Sequence, residues 1–337
     1  MCHSHSSGES SGDDPVPQII SADWPESSSR KIHGSGTLYC GDAGSENWLA
    51  VTRESSYPLN AADPFSLRTL RKQAICGRSH DSLVSFGPGD GINDLDLLHS
   101  MAEFRLDKFR KITYVPIDIS ESLLQVAVAT IGKSANIPFA LRCDFEQDGE
   151  FIFSLIEPHC RGPTLYSMLG GTFANLSAGE RTFLGWLRAT MSSQDVLILD
   201  VPTACQAWEP ETEPRLQAKS YSEVFRRFLA YGIAQQDHRT QVPTEERADR
   251  IQANFYQHVR FYHKTNEDTF AEEISVVDSE TGYTVLIFRR YRFSLLVQWL
   301  TSQGFEVTFA EESSHSIADR FGMGVIALKK PTATVHE

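Results

Sequence analysis

The sequence predicts an α/β fold built on a mostly parallel β-sheet, and three observations support this prediction. Short apolar runs alternate with helix-like segments along most of the chain. A glycine-rich turn stands between one apolar run and the next helix, and acidic residues follow the next two runs. Alternation of this kind gives parallel strands with right-handed crossovers. The strands then end at one edge of the sheet, where open α/β folds bind ligands.

Composition restricts the classes of partner. The chain has 337 residues and a formal charge of −13, with 31 basic and 44 acidic side chains. This acidic balance gives no electrostatic footprint for nucleic acid or for an anionic membrane, so we expect neither as a partner. The six cysteines lack zinc-type spacing, and no apolar run reaches the roughly 20 residues that span a bilayer. We therefore expect a soluble, cytoplasmic protein with reduced thiols.

Four regions follow one another along the chain. Residues 1–36 are rich in Ser, Gly, Asp and Pro and predict a flexible arm, whose Cys and His residues lack the four fixed ligands of a metal site. We therefore expect no bound metal. Residues 37–205 form the ligand-binding α/β domain. Residues 206–282 suggest a substrate or lid subdomain, because residues 215–262 within them look helical and aromatic-rich, and residues 283–330 return to the sheet as C-terminal strands.

Apolar runs predict the strands of the central sheet. These runs are residues 82–86, 112–117, 139–143, 164–169 and 195–200. The last third of the chain adds apolar runs at residues 283–288, 305–309 and 323–328. We expect this tail to close the sheet with an antiparallel pair.

Helical periodicity predicts the segments between the strands. Residues 92–101 carry an apolar residue at every third position, and residues 178–191 carry an apolar stripe at helical spacing. Residues 121–129 form a further helix. The helix at residues 294–303 ends at Gly304, which suits the position after a helix where positive φ is common.

The glycine-rich turn lies in residues 85–94, which read SFGPGDGIND. Glycine lets a ligand approach the backbone closely, and the N-terminus of the following helix is electropositive. That geometry suits a nucleotide-type cofactor. An ordinary Gly-Pro turn is the alternative.

Polar residues follow the next three strands. Asp118 ends the second strand, where a carboxylate accepts hydrogen bonds from ribose hydroxyls; its alternative role, as a helix N-cap, is one that Ser120 also suits. Residues 143–146 (CDFE) supply an acceptor for an adenine amino group and an aromatic cover for the ring. Residues 169–176 (LGGTFANL) place Thr172 and Asn175 at the same crevice.

These motifs resemble class I S-adenosylmethionine-dependent methyltransferases of the histidine-specific type. That family includes the ergothioneine-pathway histidine Nα-methyltransferase and fungal dimethylallyltryptophan N-methyltransferases. The resemblance rests on SFGPGDG, YVPIDIS, CDFE, LGGTFANL with SAGERTFL, and ILD at residues 198–200, and it covers residues 83–201. It implies a Rossmann-like class I methyltransferase fold: a mostly parallel seven-stranded sheet with a helical or mixed substrate subdomain.

The resemblance also implies S-adenosyl-L-methionine as the cofactor and a small amino-acid-like molecule as the substrate. The residues that it places at the cofactor are Phe86, Gly87, Gly89, Asp90, Asp118, Ile119, Asp144, Phe145, Gly170, Gly171 and Thr172. The expected catalytic residues are Asn175, which would hold the amine and carboxylate end of the substrate, and Tyr262. The expected substrate-binding residues are Asn175, Tyr256, Arg290, Tyr291 and Arg292.

Two departures from the family pattern argue against histidine as the substrate. Members that methylate histidine carry a Tyr-Tyr-Pro-Thr-Arg segment, of which residues 54–58 (ESSYP) are the nearest trace. They also carry a Glu-x-Ser pair that grips the imidazole, where this chain has Ile287, Phe288 and Arg289. Loss of the carboxylate leaves the imidazole N–H without its acceptor. We expect N-methylation of another amino acid or of a related metabolite.

The arginines near residue 290 leave alternatives open. Arg289, Arg290 and Arg292 could form a cationic fork for a carboxylate, sulfate or phosphate, or they could be solvated at the surface. Tyrosines in this region could line the pocket or fill the core. A cationic fork would suit a second function, in which the cofactor's sulfonium stabilises a departing anion and no methyl group is transferred. A third possibility is a subunit that needs a protein partner.

Overall fold

A computed structural model of the chain contains one large sheet with helices on both faces. The structure describes residues 17–21, 34–54, 64–105, 111–177, 179–204, 222–236, 255–261, 271–278, 284–313 and 321–332. The strands are β1 (Gln18–Ser21), β2 (Ser82–Phe86), β3 (Thr113–Asp118), β4 (Phe139–Arg142), β5 (Thr164–Met168), β6 (Val196–Ala204), β7 (Phe255–Phe261), β8 (Ala271–Asp278), β9 (Thr284–Tyr291), β10 (Glu306–Glu312) and β11 (Phe321–Lys329).

The helices lie mostly between the strands. They are α1 (Gly41–Thr52), α2 (Pro64–Ala74), α3 (Ile92–Phe104), α4 (Glu121–Ile131), α5 (Gly149–Ile156), α6 (Glu180–Thr190), α7 (Glu223–Gln236) and α8 (Phe293–Ser302). Short 3₁₀ helices cover Gly34–Tyr39, Gly132–Ser134 and Thr172–Asn175. Among the described helices, none combines the length and the apolar character needed to cross a membrane.

The strand order confirms the predicted fold class. Neighbouring strands run β4-β3-β2-β5-β6, all in parallel, and β11 then pairs antiparallel with β6 and with β10. These seven strands form the predicted mostly parallel sheet with an antiparallel pair. The strand order reverses at β2, which lies between β3 and β5, so the glycine-rich turn after β2 stands at the topological switch point. Strand β1 adds a further parallel edge beside β4, so residues 18–21 are part of the sheet and the prediction of a flexible arm is wrong for them.

Residues 283–288 do not complete the central sheet in the way we expected. They belong to β9, which pairs antiparallel with β8, and β8 pairs with β7. Among the described residues, this three-stranded ribbon pairs with the parallel strands where Tyr291 of β9 lies opposite Thr203 of β6. Strand β6 reaches this position because it continues to Ala204, beyond the residues that pair with β5.

Alternation along the strands sends side chains to two apolar layers. In β2, Val84 and Phe86 join one layer with residues of α5, α6 and α8, whereas Leu83 joins another with residues of α2, α3 and α4. A sheet covered on both faces requires apolar residues on both sides of each strand. This explains why the strands appear in the sequence as continuous apolar runs.

The helices predicted at residues 92–101, 121–129, 178–191 and 294–303 are confirmed. Residues 215–262, which we expected to be helical, contain α7 but also strand β7, so that prediction is only partly right. Three other helices were not predicted. Gly304 follows α8 with φ +83°, as expected for a residue after a helix end. Helices α1, α2 and α5 were missed. Helix α1 carries two glycines and packs against α7 and the 3₁₀ helix Gly34–Tyr39 rather than along the sheet, so it lacks a regular apolar stripe.

Gly149 is a test of the packing between α5 and α6. A Cβ at Gly149 would lie 2.4 Å from the ring of Trp186, which packs against Phe153 and Phe183. We expect Gly149→Ala to lower the free energy of unfolding by about 1–3 kcal/mol, because overpacking forces the ring to move. Urea unfolding measures this change.

The matched control is Gly185→Ala in α6. No heavy atom lies within 4 Å of a Cβ at Gly185, and the residue is exposed. Alanine favours a helix over glycine by about 0.8–1.0 kcal/mol, so this variant should be at least as stable as the parent. Equal destabilisation by the two substitutions would contradict the packing described here.

Candidate functional site

A cavity of about 620 Å³ opens at the carboxyl edge of the parallel strands. This volume lies within the range of roughly 300–1,000 Å³ that is usual for small-molecule sites. The residues that the strand ends contribute to its wall include Gly87, Gly89, Asp90, Asp118, Ile119, Asp144, Phe145, Gly170, Thr172 and Asn175. Ten of the residues predicted from the motifs therefore share one cavity.

The glycine-rich turn brings backbone against this cavity. Gly87 and Gly91 have φ values of +68° and +77°, which side chains other than glycine rarely adopt. A Cβ on Gly87 would also lie 2.8 Å from the Thr172 side chain. Asp90 accepts the N–H of Ile92, the first residue of α3, at 3.1 Å.

Asp118 faces the cavity because Ser120 serves as the helix cap. The Ser120 hydroxyl accepts the N–H of Leu123 at 3.3 Å, which makes Ser120 the N-cap of α4. The Ser120 N–H in turn donates to Asp118 Oδ1 at 2.9 Å. Burial raises the pKa of Asp118 to about 7, although the hydrogen bonds from the backbone of Ser120 and Ile119 oppose the rise.

Asp144 and Phe145 form another part of the wall. Asp144 accepts the N–H of Glu146 at 3.0 Å and the side-chain amide of Gln147 at 2.7 Å, so it also orders the turn after β4. The Phe145 ring meets the edge of Phe86 at a centroid distance of 5.7 Å. Phe86 itself is fully buried in the aromatic core and does not line the cavity, which corrects its prediction as a cofactor contact.

The turn after β5 carries Asn175 into the cavity. Gly171, with φ +84°, precedes the 3₁₀ helix Thr172–Asn175, and the Thr172 hydroxyl donates to the carbonyl of Leu169 at 3.0 Å. The Asn175 side chain lies near the Tyr39 hydroxyl and opposes the rise in the pKa of Tyr39. Its amide oxygen is buried and has no hydrogen-bond partner in the described part of the chain. A buried acceptor ordinarily has a hydrogen-bond partner.

The sequence analysis missed an aromatic wall made by Tyr39, Trp48 and Phe228. Tyr39 and Trp48 line the cavity, their rings meet edge to face at 5.3 Å, and Phe228 lies 5.5 Å from each. Burial and the nearby carboxylate of Asp118 raise the pKa of Tyr39 above its ordinary value, so its phenol is protonated at neutral pH. The sequence of residues 34–52 has no periodic pattern that predicts an aromatic wall at the cavity.

Three further polar residues at the cavity were also missed. Arg71 lies on α2, Asn93 on the first turn of α3, and Asp200 within β6. The ILD motif contains Asp200, but no local pattern in the sequence indicates that the arginine on α2 is its partner. Among the described residues, no group of three or more His, Cys, Asp or Glu side chains could hold a metal ion.

The arginines near residue 290 are partners of buried glutamates. The register of β8 and β9 sets Glu273 opposite Arg289 and Glu272 opposite Arg290. Arg289 donates to Glu273 Oε2 at 3.1 and 2.9 Å and to the carbonyl of Leu176 at 2.7 Å, and Arg290 pairs with Glu272. Both arginines are 5% exposed, so the predictions that Arg290 binds substrate and that these side chains are solvated are wrong.

The remaining substrate candidates divide into three cases. Tyr291 is fully buried and donates to Glu180 at 2.7 Å, so it fills the core instead of lining the cavity, contrary to its prediction. Arg292 is exposed at the start of α8 and also lies outside the cavity wall. Tyr256 lies on β7 opposite Val277, and Tyr262 lies outside the described residues, so their roles stay predictions.

The comparison with protein families decides the identity of the site. A family profile described as "Histidine-specific methyltransferase, SAM-dependent" matches residues 29–208, more than half of the chain. The chain belongs to this family. The protein is therefore an S-adenosylmethionine-dependent methyltransferase. The site fits this cofactor, because it offers close backbone at Gly87, a buried carboxylate at Asp118 and an aromatic ring at Phe145.

Solved structures similar to this methyltransferase have low identity to it. One, a methyltransferase from Clostridium acetobutylicum ATCC 824, has 9% identity and a TM-score of 0.44, with 85% of this chain and 99% of that chain covered. Another, from Methanosarcina mazei, has 13% identity and a TM-score of 0.38, with 75% of this chain and 93% of that chain covered. The sugar N-methyltransferase KedS8 from Streptoalloteichus sp ATCC 53650 has 12% identity and a TM-score of 0.39, with 90% of this chain and 98% of that chain covered.

These TM-scores are low, so the fold assignment rests on the strand topology described above. No curated protein is significantly similar to the chain in sequence.

The pKa of Asp118 predicts a pH-dependent affinity for adenosine ligands. Only the carboxylate form accepts from both ribose hydroxyls, and burial raises the pKa of Asp118 to about 7. The affinity for methylthioadenosine should therefore increase as the pH is raised from about 6 to about 8, and the increase should reverse when the pH is lowered again. The adenine of this ligand is neutral throughout this range. Calorimetric titration across this range measures the change.

Asp118→Asn is the control for this pH dependence. The variant lacks the titrating carboxyl, so its affinity should be about 10- to 100-fold weaker at high pH and independent of pH. An unchanged pH profile in the variant would remove Asp118 from the ribose-binding role.

The buried ion pairs of β9 predict that substitutions of two neighbouring arginines differ in their effect on the stability of the protein. Arg289→Met removes the cation beside the buried carboxylates of Glu273 and Glu180, which should lower the free energy of unfolding by about 3–5 kcal/mol. Arg292→Met alters an exposed side chain and should change the free energy of unfolding by about 0.5 kcal/mol or less. Urea unfolding of both variants at neutral pH makes the comparison, and similar losses would contradict it.

Proposed function

We propose that this methyltransferase transfers the methyl group of S-adenosylmethionine to an amine nitrogen of an amino acid or an amino-acid-derived metabolite other than histidine. The observation that carries this proposal is the buried amide oxygen of Asn175. It lies at the cavity beside the Tyr39 hydroxyl and has no hydrogen-bond partner among the described residues. A buried acceptor of this kind costs free energy unless a ligand N–H reaches it.

The residues of the cavity have complementary tasks in this reaction. The cofactor, when bound, supplies an electrophilic methyl group, so the protein has to hold an unprotonated amine in line with it. Asn175 accepts an amine N–H through its free oxygen, and the Tyr39 hydroxyl beside it can donate to a carboxylate of the substrate.

The aromatic wall favours an apolar or aromatic substituent on the substrate. Tyr39 and Trp48 present ring surface to the cavity, and rings of this size contribute strongly to burial of an apolar ligand. The segment that grips imidazole in histidine-methylating relatives contains Arg289 here, and Arg289 is engaged by Glu273. The chain therefore offers no carboxylate for an imidazole N–H at this position.

The alternative hypothesis, in which the cofactor is bound but no methyl group is transferred, no longer has support from the arginines near residue 290. That hypothesis required an arginine fork facing an anionic leaving group. Arg289 and Arg290 instead pair with buried glutamates, and the arginine at position 292 lies outside the cavity wall. Methyl transfer to an amine is the function that the site supports best.

The test is a panel of amino acids and their decarboxylated amines, with histidine included. We expect S-adenosylhomocysteine and a methylated amine to form in equal amounts, with aromatic or apolar members preferred over histidine. Mass spectrometry measures both products. Histidine as the best substrate, or cofactor binding without any methylated product, would contradict the proposal.

Asn175→Ala tests the residue on which the proposal depends. The variant should lower kcat/KM by about 10- to 100-fold, because the amine loses its acceptor. Its affinity for S-adenosylhomocysteine should be unchanged, since Asn175 is assigned to the substrate. Asn136→Ala, at an exposed site outside the cavity, is the matched control and should leave both quantities unchanged. A cofactor-binding defect with normal kcat would overturn the assignment.

A further inference from the structure

We propose that Arg71, held in place by Asp200 and Asn93, binds the carboxylate at the methionyl end of the cofactor. The proposal rests on the assignment of S-adenosylmethionine and not on the substrate proposed above. It gives a role to Asp200 of the ILD motif, which neither the motif nor the family match assigns.

The contacts of Arg71 leave part of its guanidinium available. Arg71 Nε donates to the two carboxylate oxygens of Asp200 at 3.2 and 3.1 Å, and its Nη2 also donates to Asp200. Its Nη1 donates to Asn93 Oδ1 at 2.8 Å. A guanidinium has five N–H donors, so one N–H remains on each terminal nitrogen without an acceptor among the described residues.

Those two donors belong to a side chain that is buried and lines the cavity. Arg71 is 5% exposed and Asp200 is fully buried, so the ion pair is fixed and shielded from solvent. A carboxylate is the acceptor that two guanidinium N–H groups recognise best. Without a ligand acceptor, these donors would face the cavity unsatisfied by the described part of the protein.

The position of Arg71 within the cavity matches the amino-acid end of the cofactor. Asn93 lies near the end of the glycine-rich turn, in the first turn of α3, and the Gly170 N–H donates to Asp200 at 3.0 Å. Strands β2 and β5 lie between β3, which ends at the ribose-facing Asp118, and β6, which carries Asp200. A ligand whose ribose is held at Asp118 therefore crosses the glycine-rich turn before it reaches Arg71.

The amino-acid end of the cofactor is a zwitterion. The proposal assigns its carboxylate to Arg71, since the nearby Asp94 is engaged by the Tyr114 hydroxyl at 2.7 Å and Asp96 is paired with Arg68 at 3.5 Å.

An amino-acid substrate carries the same zwitterionic group, so the experiment has to separate the two sources. Asn175 and the aromatic wall provide a different set of contacts for the substrate, from α1 and the turn after β5. The comparison uses S-adenosylhomocysteine and methylthioadenosine, which share the adenosine and the thioether. Only the first has the amino-acid end.

The experiment measures the affinity of both compounds for the whole protein by calorimetry. The parent should prefer S-adenosylhomocysteine. Arg71→Met should weaken S-adenosylhomocysteine binding by about 10- to 100-fold and leave methylthioadenosine binding unchanged, because only the carboxylate contact is lost. Arg68→Met on the same helix, with 54% of its side chain exposed, is the matched control and should preserve the preference.

The outcomes separate the possible failures. An unchanged preference in Arg71→Met, or equal weakening of the two compounds, would overturn the proposal. A raised substrate KM with unchanged S-adenosylhomocysteine affinity would also overturn it, because the carboxylate at Arg71 would then belong to the substrate. If the parent bound neither compound, the cofactor assignment itself would fail.

Arg71→Lys keeps the proposal testable if Arg71→Met does not fold. Lysine retains the charge beside Asp200 but lacks the planar fork of donors. Methylthioadenosine binding reports that the adenosine part of the site is intact. We expect a partial loss of the preference in this variant, and a folded Arg71→Lys protein with the full preference would overturn the proposal.

Discussion

The parallel pairing of β2 with β3 and β5 fixes the position of the whole site. Phe86 pairs with Ile117 and Ser85 with Ser167, and the Gly87 N–H donates to the Ile117 carbonyl at 2.9 Å. This register brings the glycine-rich turn, Asp118 and the turn after β5 to the same edge. A slip of one residue would turn each side chain to the opposite face. The site is therefore a consequence of backbone pairing as much as of the residues that line it.

Local sequence predicted the parts of the site that follow directly from strands. Asp118, Asp144 and Asn175 each stand a few residues after an apolar run, and a parallel sheet gathers such positions at one edge. The mostly parallel sheet also followed from the alternation of elements, and its seven strands followed from the family resemblance, but the order of the strands was not predicted. These features depend on short stretches of chain, which is why sequence reasoning reached them.

The sequence could not reveal the parts of the site that distant segments supply. Tyr39 and Trp48 come from the region of α1, and their position depends on packing against Phe228 of α7. Arg71 reaches the cavity because it pairs with Asp200, which is 129 positions away along the chain. No periodicity within either segment reports such a contact. Tertiary packing, and not local propensity, brings these side chains together.

The arginines of β9 illustrate the same limit for charged residues. A run of cations next to a predicted pocket suggested an anion site, but the register with β8 supplies glutamates to Arg289 and Arg290. Arg289 also donates to the carbonyl of Leu176, the residue after Asn175. The ion pairs thus join the ribbon to the turn that carries Asn175. Their cross-strand partners, and not their own sequence, determine what these arginines do.

The amide of Asn175 suits the proposed chemistry better than a carboxylate would. A methyl acceptor needs its nitrogen lone pair, and a buried carboxylate beside it would favour the protonated ammonium, which has none. A neutral amide oxygen accepts an N–H without adding a charge. The neighbouring Tyr39 phenol is also neutral, because burial raises its pKa. The two side chains assigned to the proposed amine are therefore neutral, whereas the side chains assigned to the ribose and the methionyl carboxylate of the cofactor, Asp118 and Arg71, are ionisable.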